Sequence, residues 1–312
     1  HGIPAHDTFN RVFSALHPHA FMACFGQWVQ GLCPNLSDEV VAIDGKALRR
    51  ALNEGGTIPY IVSAWACEHG LVLGQVKVDE KSNEITAVPE LLNALWLEGA
   101  IVTLDAMGCQ KAIAANIIER RADYVLALKG NHATVHDEVK TYFDDLIPPC
   151  ATRGAEASGV QPMDFHQTLD KGHGRIETRR YWQSTDIAWF QDKDLWKGLK
   201  SFGMVESVRQ QKGTSTIERR YYLSSLPLDA KRFARAVRGH WGVENTLHWS
   251  LDVTFREDDL RARTKNAAQN LATLRRIALN LVKKDRAKKD TLRGKRFAAA
   301  LDPDFLLHLL GI

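Results

Sequence analysis

Between residues 40 and 128 the hydrophobic pattern alternates between short apolar runs and segments of helical period, and this order constrains the fold. The apolar runs have the length and composition of buried strands. They lie at residues 40–43, 60–67, 71–79, 100–104 and 124–128. Residues 85–97 and 110–121 repeat their apolar side chains at three- and four-residue spacing, which predicts helices. The predicted order is therefore β-β-β-α-β-α-β.

This order predicts a mixed sheet rather than a doubly wound one. The tight turn at Glu68–Gly70 joins two strands into an antiparallel hairpin. The later strands are separated by helices, as parallel strands are. The order β-β-β-α-β-α-β is the ribonuclease-H-like arrangement, so we expect an α/β protein with a sheet of that kind.

After residue 131 the pattern breaks. Residues 132–230 contain a loop of low hydrophobicity at 148–162 and Arg-rich, β-prone pieces at 175–182, 204–209 and 217–223. We interpret 132–230 as a mostly β insertion. Further helices are predicted at 7–33, Asp229–Leu251 and Ala267–Lys284.

These patterns divide the chain into five predicted parts. They are an N-terminal helical segment (1–38), two parts of the ribonuclease-H-like core (39–131 and 231–285), the β insertion (132–230) and a basic C-terminal tail (286–312). The opening residues His1–Pro4 do not resemble a natural start, which suggests a tag remnant or a truncated chain.

Charge is distributed unevenly along the chain. The net charge is +4, yet residues 261–296 carry 13 Lys or Arg against only Asp285 and Asp290. Such a run favours a polyanionic partner, although a solvated helix face gives the same pattern. The five cysteines have no CxxC or metal-ligand spacing, which favours reduced thiols. No apolar run is long enough to cross a membrane, and reduced thiols favour a cytoplasmic protein.

Two aspartates follow apolar strands. Asp44 ends the run at 40–43, and Asp105 ends the run at 100–104. Polar groups at the carboxyl ends of strands converge on the crevice where ligands bind in an open sheet. One such aspartate is ordinary, because Asp often begins a turn. Two at the ends of predicted central strands indicate a site.

Glu244 has an unusual position on the predicted helix Asp229–Leu251. At 100° per residue it lies in the middle of the apolar face. The apolar side chains around it are Phe233, Val237, Trp241, Leu247 and Leu251. A carboxylate there is costly to bury unless it is paired or bound to a cation. His240 and His248 flank it at i−4 and i+4, and a buried pair with an arginine is the structural alternative.

Asp44, Asp105 and Glu244 together form a hard, all-oxygen donor set. This set suits Mg²⁺ or Mn²⁺ better than zinc, and the sequence has no HExxH motif. Two such ions about 3.5–4 Å apart activate a water or a 3′-hydroxyl and stabilise the leaving oxygen in phosphoryl transfer. The residues therefore predict a two-ion site.

Seven stretches carry a resemblance to a known family. They are GIPAHDTF (2–9), AIDGK (42–46), VKVDEKSNEI (76–85), TLDAMGCQK (103–111), LKGN (128–131), DKGHGR (170–175) and WGVEN (241–245). Through them essentially the whole chain resembles the H repeat-associated (ISAs-type) branch of bacterial insertion-sequence transposases, a DDE family.

The resemblance implies Asp44, Asp105 and Glu244 as the metal-binding triad, with two Mg²⁺ ions for which Mn²⁺ can substitute. It also implies a β insertion before the glutamate helix. The partner that the resemblance implies is double-stranded DNA, at the transposon terminal inverted repeats and at the target, and we expect a homodimer on DNA and no membrane partner.

The sequence departs from the wider group in two respects. That group often has a Tyr-x2-Arg-x3-Glu-x6-Lys signature, whereas Val237, His240 and Leu251 stand at its Tyr, Arg and Lys positions here. The DNA contacts of that Arg and Lys therefore do not carry over. Family members also usually have a further amino-terminal segment before Gly2.

Several other residues are weaker candidates. Those predicted to contact phosphates are Lys46, Lys129, Lys171, Arg175, Arg238, Lys283 and Lys284, and each is otherwise ordinary surface. Those predicted to orient the metal ligands are His240, His248 and Asp252. Rival carboxylates are Asp79, Glu84 and Asp252. The side chains of His173, Trp182 and Trp249 could stack on an unpaired base, with packing as the alternative.

We therefore expect a DDE transposase that performs metal-dependent DNA cleavage and strand transfer at insertion-sequence ends. Two alternatives stay open. One is a domesticated or immobile relative that acts as a metal-dependent DNA nuclease. The other is a DNA-binding protein with a relic site, which a carboxylate on a core face argues against.

Overall fold

The computed structural model describes residues 2, 4–52, 56–78, 83–147, 163–172, 174–211 and 213–312. The predicted loop at 148–162 lies outside them. The chain forms two compact units. Unit 1 comprises His1–Trp96 and Trp241–Ile312, and unit 2 comprises Leu97–His240.

The regular elements follow one another in a mixed α/β order. The strands are β1 (Val40–Ala47), β2 (Tyr60–Ala66), β3 (Leu71–Val78), β4 (Ile101–Leu104), β5 (Asp123–Leu128), β6 (Met163–Gly172), β7 (Arg175–Ser184), β8 (Ser201–Gln211) and β9 (Thr214–Ser224). The helices are α1 (His6–Ala15), α2 (Pro18–Leu32), α3 (Glu84–Ala94), α4 (Lys111–Glu119), α5 (Ala133–Leu146), α6 (Ala230–Gly242), α7 (Ala267–Lys284), α8 (Leu292–Leu301) and α9 (Pro303–Leu310). Within the described ranges, no helix combines the length and apolarity needed to cross a membrane.

Unit 1 is built on an antiparallel sheet with the order β3-β2-β1. The apolar runs predict all three strands, but β1 does not end at Asp44 as expected. Its pairing with β2 continues from Asp44 opposite Ser63 to Ala47 opposite Tyr60. The strand can continue because its polar side chain Lys46 finds an acidic partner, Asp258, inside the same unit.

The predicted helical segment 7–33 is broken into α1 and α2. Pro18 is the first residue of α2, and His17 before it has an extended backbone. Proline lacks an N–H and disfavours helical backbone in the preceding residue, so a helix begins at Pro18 rather than passing through it. The ring of His17 accepts a hydrogen bond from the Ala20 N–H and caps α2.

Helix α7 is held against the strands of unit 1 by buried polar groups. Asn280 accepts from the Val72 N–H at 2.9 Å and donates to the Val72 carbonyl at 2.9 Å. The fully buried Arg276 pairs with the fully buried Glu257 at 2.7 Å and donates to the Ser63 hydroxyl at 3.2 Å. Arg276 is therefore a core residue, although it falls within the basic stretch 261–296.

Unit 2 contains a mixed sheet with the order β4-β5-β9-β8-β7-β6. Strands β4 and β5 are parallel, and each of the other neighbouring pairs is antiparallel. The β-prone pieces at 175–182, 204–209 and 217–223 lie within β7, β8 and β9, so those strands are confirmed. Helix α5 was not predicted.

The arginines of the inserted strands are paired with acids of the same unit. Glu206 is fully buried between Arg180 at 2.8 Å and Arg219 at 3.0 Å. Arg219 also reaches Asp144 of α5 at 2.6 Å. This cross-strand ladder shows why β-prone segments rich in arginine form a stable sheet.

The described cysteines are free thiols, as the spacing predicts. Cys33 and Cys109 are buried and Cys24 is exposed, while Cys150 lies outside the described residues. Burial raises the pKa of Cys67 and of Cys109 to about 12. Both are therefore protonated and poor nucleophiles.

The predicted C-terminal tail contains the two helices α8 and α9. The hydroxyl of Thr291 caps α8, and the Asp302 carboxylate caps α9. Lys295 on α8 pairs with the buried Asp285 at 2.8 Å, and His308 on α9 lies 3.2 Å from the same carboxylate. Asp285 thus ties both helices to the end of α7.

Asp285 should make unit 1 sensitive to acid. Burial alone would raise the pKa of Asp285, but hydrogen bonds from Lys295, His308 and two backbone N–H groups outweigh it and lower the pKa to about 2. An unfolded aspartate titrates near about 3.9. The carboxylate therefore stabilises the fold above about pH 4, and this contribution is lost as the pH falls towards about 2. Urea unfolding between pH 5 and pH 2 should show a shallower pH dependence for Asp285→Asn than for the wild type, and parallel curves would contradict this assignment.

Candidate active site

Asp44 lies beside a neutral histidine in unit 1. Its Oδ2 is 3.7 Å from Nδ1 of His248, whose side chain is only 14% exposed. Burial lowers the pKa of His248 to about 4, and the nearby cations Arg276 and Lys46 add to the shift. The ring is therefore uncharged at neutral pH and does not neutralise the carboxylate of Asp44.

Lys46 lies on the same face of β1 as Asp44, because side chains two residues apart on a strand share a face. It is 9% exposed, and its Nζ lies 2.8 Å from Asp252 Oδ1, 2.7 Å from Asp258 Oδ1 and 3.9 Å from Glu257 Oε2. We call these four side chains the Lys46 cluster. The sequence predicts that the amine of Lys46 contacts a DNA phosphate. In the structure this amine is paired with carboxylates of its own unit instead.

Glu244 is exposed, so the prediction that it sits on a buried helix face is wrong. The helix predicted for Asp229–Leu251 is α-helical only to Gly242 and continues as two π-helical segments, Val243–His248 and Ser250–Thr254. A π-helix has i→i+5 hydrogen bonds and wider turns, so a wheel of 100° per residue misplaces its side chains. The buried apolar side chains of the two segments are Val243, Leu247 and Leu251.

The π-helical segments carry the polar groups of this part of unit 1. Glu244, His248 and Asp252 recur at every fourth residue along them. A π-helix is rare and frequently marks a functional site. The segment therefore brings the predicted glutamate, the histidine beside Asp44 and an acid of the Lys46 cluster onto one short stretch of chain.

Asp105 lies in unit 2 and directly follows β4, as predicted. Its Oδ1 accepts hydrogen bonds from the backbone N–H groups of Met107 at 3.0 Å and Gly108 at 3.3 Å. Aspartate often forms a turn of this kind with its own loop. The loop therefore fixes the carboxylate at the carboxyl end of the strand.

His240 is a second neutral histidine. It belongs to unit 2, as Asp105 does. Its Nδ1 lies 3.1 Å from the Thr103 hydroxyl on β4. Burial lowers the pKa of His240 to about 4, although the negative charge of Asp105 opposes the shift. The histidine is therefore near Asp105 without neutralising it.

The residue types fit a hard divalent cation. Asp44, Asp105 and Glu244 offer only carboxylate oxygens, which Mg²⁺ and Mn²⁺ prefer, and neither neighbouring histidine carries a competing positive charge. Within the part of the chain that the structure describes, no three His, Cys, Asp or Glu side chains form a ready-made metal cluster. Metal binding by this triad is therefore an inference from its residue types.

The rival carboxylates have other places. A Cβ on Gly45 would lie 2.6 Å from the Glu84 carboxylate, which puts Glu84 on the face of β1 opposite Asp44. Asp252 is held by Lys46, and burial raises its pKa. Asp79 lies outside the described residues.

Five of the predicted phosphate contacts are exposed: Lys129, Lys171, Arg175, Arg238 and Lys284. Two of these five, and the half-buried Lys283, also have a neighbour in their own unit. Arg175 lies 3.5 Å from Glu177, Arg238 lies 3.8 Å from Asp170, and Lys283 lies 4.8 Å from the centre of the Trp65 ring.

The two tryptophans considered for base stacking differ completely. Trp182 is fully buried, as the packing interpretation expects, whereas Trp249 is 57% exposed. His173 lies outside the described residues. Trp249 is therefore the side chain of this group that is open to a ligand.

Residues 35–281 match the family described as "Transposase DDE domain". This match covers most of the chain and includes all three candidate carboxylates. The chain therefore belongs to the DDE transposase family. Membership implies an enzyme that cleaves and transfers DNA strands, and one that uses divalent metal.

Named relatives agree with the H repeat-associated branch. The "H repeat-associated putative transposase YhhI" of Escherichia coli (strain K12) is 40% identical over 317 residues, covering 99% of this chain and 81% of the relative. The "Putative transposase YncI" of Escherichia coli O157:H7 is 41% identical over 317 residues, covering 99% of this chain and 78% of the relative. Among solved structures, the piggyBac transposase synaptic complex with hairpin DNA has a TM-score of 0.42 and 12% identity, covering 87% of this chain and 54% of that chain. A likeness at that level does not establish a common fold.

The Lys46 cluster predicts a stability difference between two lysines. Lys46→Met should lower the free energy of unfolding by about 3 kcal/mol, because it removes the cation beside Asp252 and one of the two cations beside each of Glu257 and Asp258. Lys284→Met, at an exposed lysine, should change it by less than about 0.5 kcal/mol. Urea unfolding at low salt measures both. A Lys46→Met protein as stable as wild type but with a shallower salt dependence of DNA binding would restore Lys46 as a phosphate contact.

Proposed function

We propose that this protein is a DDE transposase that performs metal-dependent DNA cleavage and strand transfer at insertion-sequence ends. Asp44, Asp105 and Glu244 would bind two Mg²⁺ ions, for which Mn²⁺ can substitute. The observation that carries the proposal is the family match over 35–281, which spans all three carboxylates.

We also propose a ribonuclease-H-like core for this function. It would consist of 39–131 and 231–285, with 132–230 inserted before the segment that carries Glu244. The parallel pair β4 and β5 and the antiparallel strands β1, β2 and β3 support this assignment, because they occur in the order expected for such a core. The segments 1–38 and 286–312 would flank it.

The chemistry follows from the residue types. When bound, the two ions would activate the attacking water or 3′-hydroxyl and stabilise the leaving oxygen. Asp44 and Asp105 supply negative charge, and the neutral rings of His248 and His240 add no positive charge beside them. Glu244 is exposed and can therefore reach a cation from solvent without the cost of burying a lone carboxylate.

The DNA partner would be double-stranded DNA at the terminal inverted repeats and at the target. Three exposed lysines of the basic stretch, Lys284, Lys288 and Lys289, would supply sequence-independent phosphate contacts. Lys129 adds one exposed cation near Asp105, and its charge opposes protonation of His240. Paired cleavage at two ends favours a homodimer on DNA. A protein that cleaves chromosomal DNA would associate with the nucleoid.

Neutralising the triad tests the site. Asp44→Asn, Asp105→Asn and Glu244→Gln should each reduce cleavage of DNA carrying the inverted repeats of the native locus by at least about 10³-fold, because each removes a metal ligand. DNA affinity in EDTA and the melting temperature should change little for Glu244→Gln, since that side chain is exposed. End mapping of the products gives the rate and the position of cleavage.

The half-buried Asp259, which pairs with Arg50, offers a control. Asp259→Asn removes an acid outside the triad from the same unit as Asp44 and should leave cleavage unchanged. Undiminished cleavage by any triad variant would remove that residue from the site. Cleavage without strand transfer by the wild type would instead identify an immobile nuclease, and specific DNA binding without cleavage would identify a relic. Because Glu244 is exposed, its position does not argue against a DNA-binding protein with a relic site. The cleavage assay therefore decides between an enzyme and such a protein.

The salt dependence of binding tests the DNA surface. Changing Lys284, Lys288 and Lys289 to Gln should flatten the log–log slope by about one unit for each lysine that binds a phosphate in the wild type, because fewer counterions are released. Cognate and random duplexes should weaken about equally. A control variant has the same charge change at Lys193, Lys197 and Lys200. Equal slopes for wild type and the first variant would move the DNA surface elsewhere on the protein.

A further inference from the structure

Within the stretch Leu128-Lys129-Gly130-Asn131, only Lys129 has a proposed role. The stretch begins at the last residue of β5, which lies parallel to β4 with Leu126 opposite Leu104. The loop that begins with Asp105 follows β4. Since the carboxyl ends of neighbouring parallel strands meet at one edge of a sheet, the two segments lie side by side in unit 2.

Asn131 and the next residue, His132, hold the backbone of the loop that begins with Asp105. Asn131 donates from Nδ2 to the Ala106 carbonyl at 2.5 Å. Nε2 of His132 lies 2.6 Å from the Cys109 carbonyl. A carbonyl oxygen only accepts hydrogen bonds, so His132 must carry a proton on Nε2.

The loop between these two carbonyls is the one that orients Asp105. Its N–H groups at Met107 and Gly108 donate to Asp105 Oδ1. The loop is also tightly packed, because a Cβ on Gly108 would lie 2.6 Å from the Leu104 side chain. Asn131 and His132 therefore hold the loop on both sides of the N–H groups that fix the carboxylate.

His132 is itself anchored from the side. Its ring meets the buried Trp196 edge-on at 5.7 Å between centroids. The backbone N–H of His132 donates to the Lys129 carbonyl at 3.1 Å. These contacts limit the rotation of the ring and keep Nε2 directed at the loop.

We propose that Asn131 and His132 are positioning residues that fix the Asp105 loop and thereby the carboxylate that binds metal. The inference rests on the proposed function, since it takes Asp105 as a metal ligand. Groups that orient metal ligands by hydrogen bonding typically change metal affinity or activity by about 10–100-fold when they are removed. They do so without touching the metal, DNA or the reacting atoms.

Matched variants separate positioning from general stability. His132→Gln keeps a donor near the position of Nε2, whereas His132→Ala and Asn131→Ala remove the donor. Tyr142→Phe is the control, because it removes one partly buried hydrogen bond of unit 2, to the Ser184 hydroxyl at 2.7 Å, far along the chain from Asp105. Melting temperatures verify that each variant folds.

Two quantities are measured on the full chain. The first is Mn²⁺ affinity without DNA, from the electron paramagnetic resonance signal of free Mn²⁺. The second is the Mn²⁺ concentration that gives half-maximal cleavage, together with the KM for DNA. Both alanine variants should require about 10-fold more Mn²⁺ in both measurements with an unchanged KM, while His132→Gln and Tyr142→Phe stay close to wild type.

The outcomes are distinct. Wild-type Mn²⁺ affinity in both alanine variants would overturn the inference, and so would an equal loss in Tyr142→Phe or no rescue by His132→Gln. Mn²⁺ binding and cleavage that survive Asp105→Asn would instead overturn the proposed function. If Asn131→Ala fails to fold, the comparison of His132→Ala with His132→Gln still decides the question.

Discussion

Unit 1 depends on the neutralisation of a group of acids by one nearly buried lysine. Asp252, Glu257 and Asp258 all lie within 4 Å of Lys46 Nζ. A buried carboxylate is tolerated only when it is paired, hydrogen-bonded or bound to a cation. Lys46 and Arg276 supply that charge, and Arg276 reaches Glu257 from the side of α7. Strand β1, the π-helical segments and α7 are therefore joined by one charge network.

This network identifies carboxylates that stabilise the fold. The acids of the Lys46 cluster already have a cation, and Glu84 lies on the opposite face of β1 from Asp44. Asp44 and Asp105 are accompanied instead by histidines whose pKa values burial lowers to about 4. A neutral imidazole orients a neighbour without cancelling its charge. The chain thus separates acids that stabilise the fold from acids that we propose bind metal.

The sequence predicted the elements whose period is regular. Strands β1 to β5, β7, β8 and β9 appear where the apolar and Arg-rich runs place them, whereas none of these runs marks β6. The sequence pattern does not predict helix α5, although Val135, Val139 and Phe143 form its buried stripe, because the surrounding region 132–230 is mostly β-prone. Glu244 was misplaced for a different reason: hydrophobic spacing does not distinguish a π-helix from an α-helix. The partners of Lys46 lie more than 200 residues away along the chain, at a distance that no local pattern reveals.

We propose that Asp44, Asp105 and Glu244 bind the same divalent ions. Anomalous diffraction at the manganese edge tests this, with crystals of the protein grown with Mn²⁺ and DNA carrying a cleaved inverted-repeat end. We expect two anomalous peaks about 3.5–4 Å apart, with all three carboxylates among their ligands. Peaks coordinated by the acids of the Lys46 cluster, or an occupied metal site that leaves out any member of the triad, would contradict this proposal.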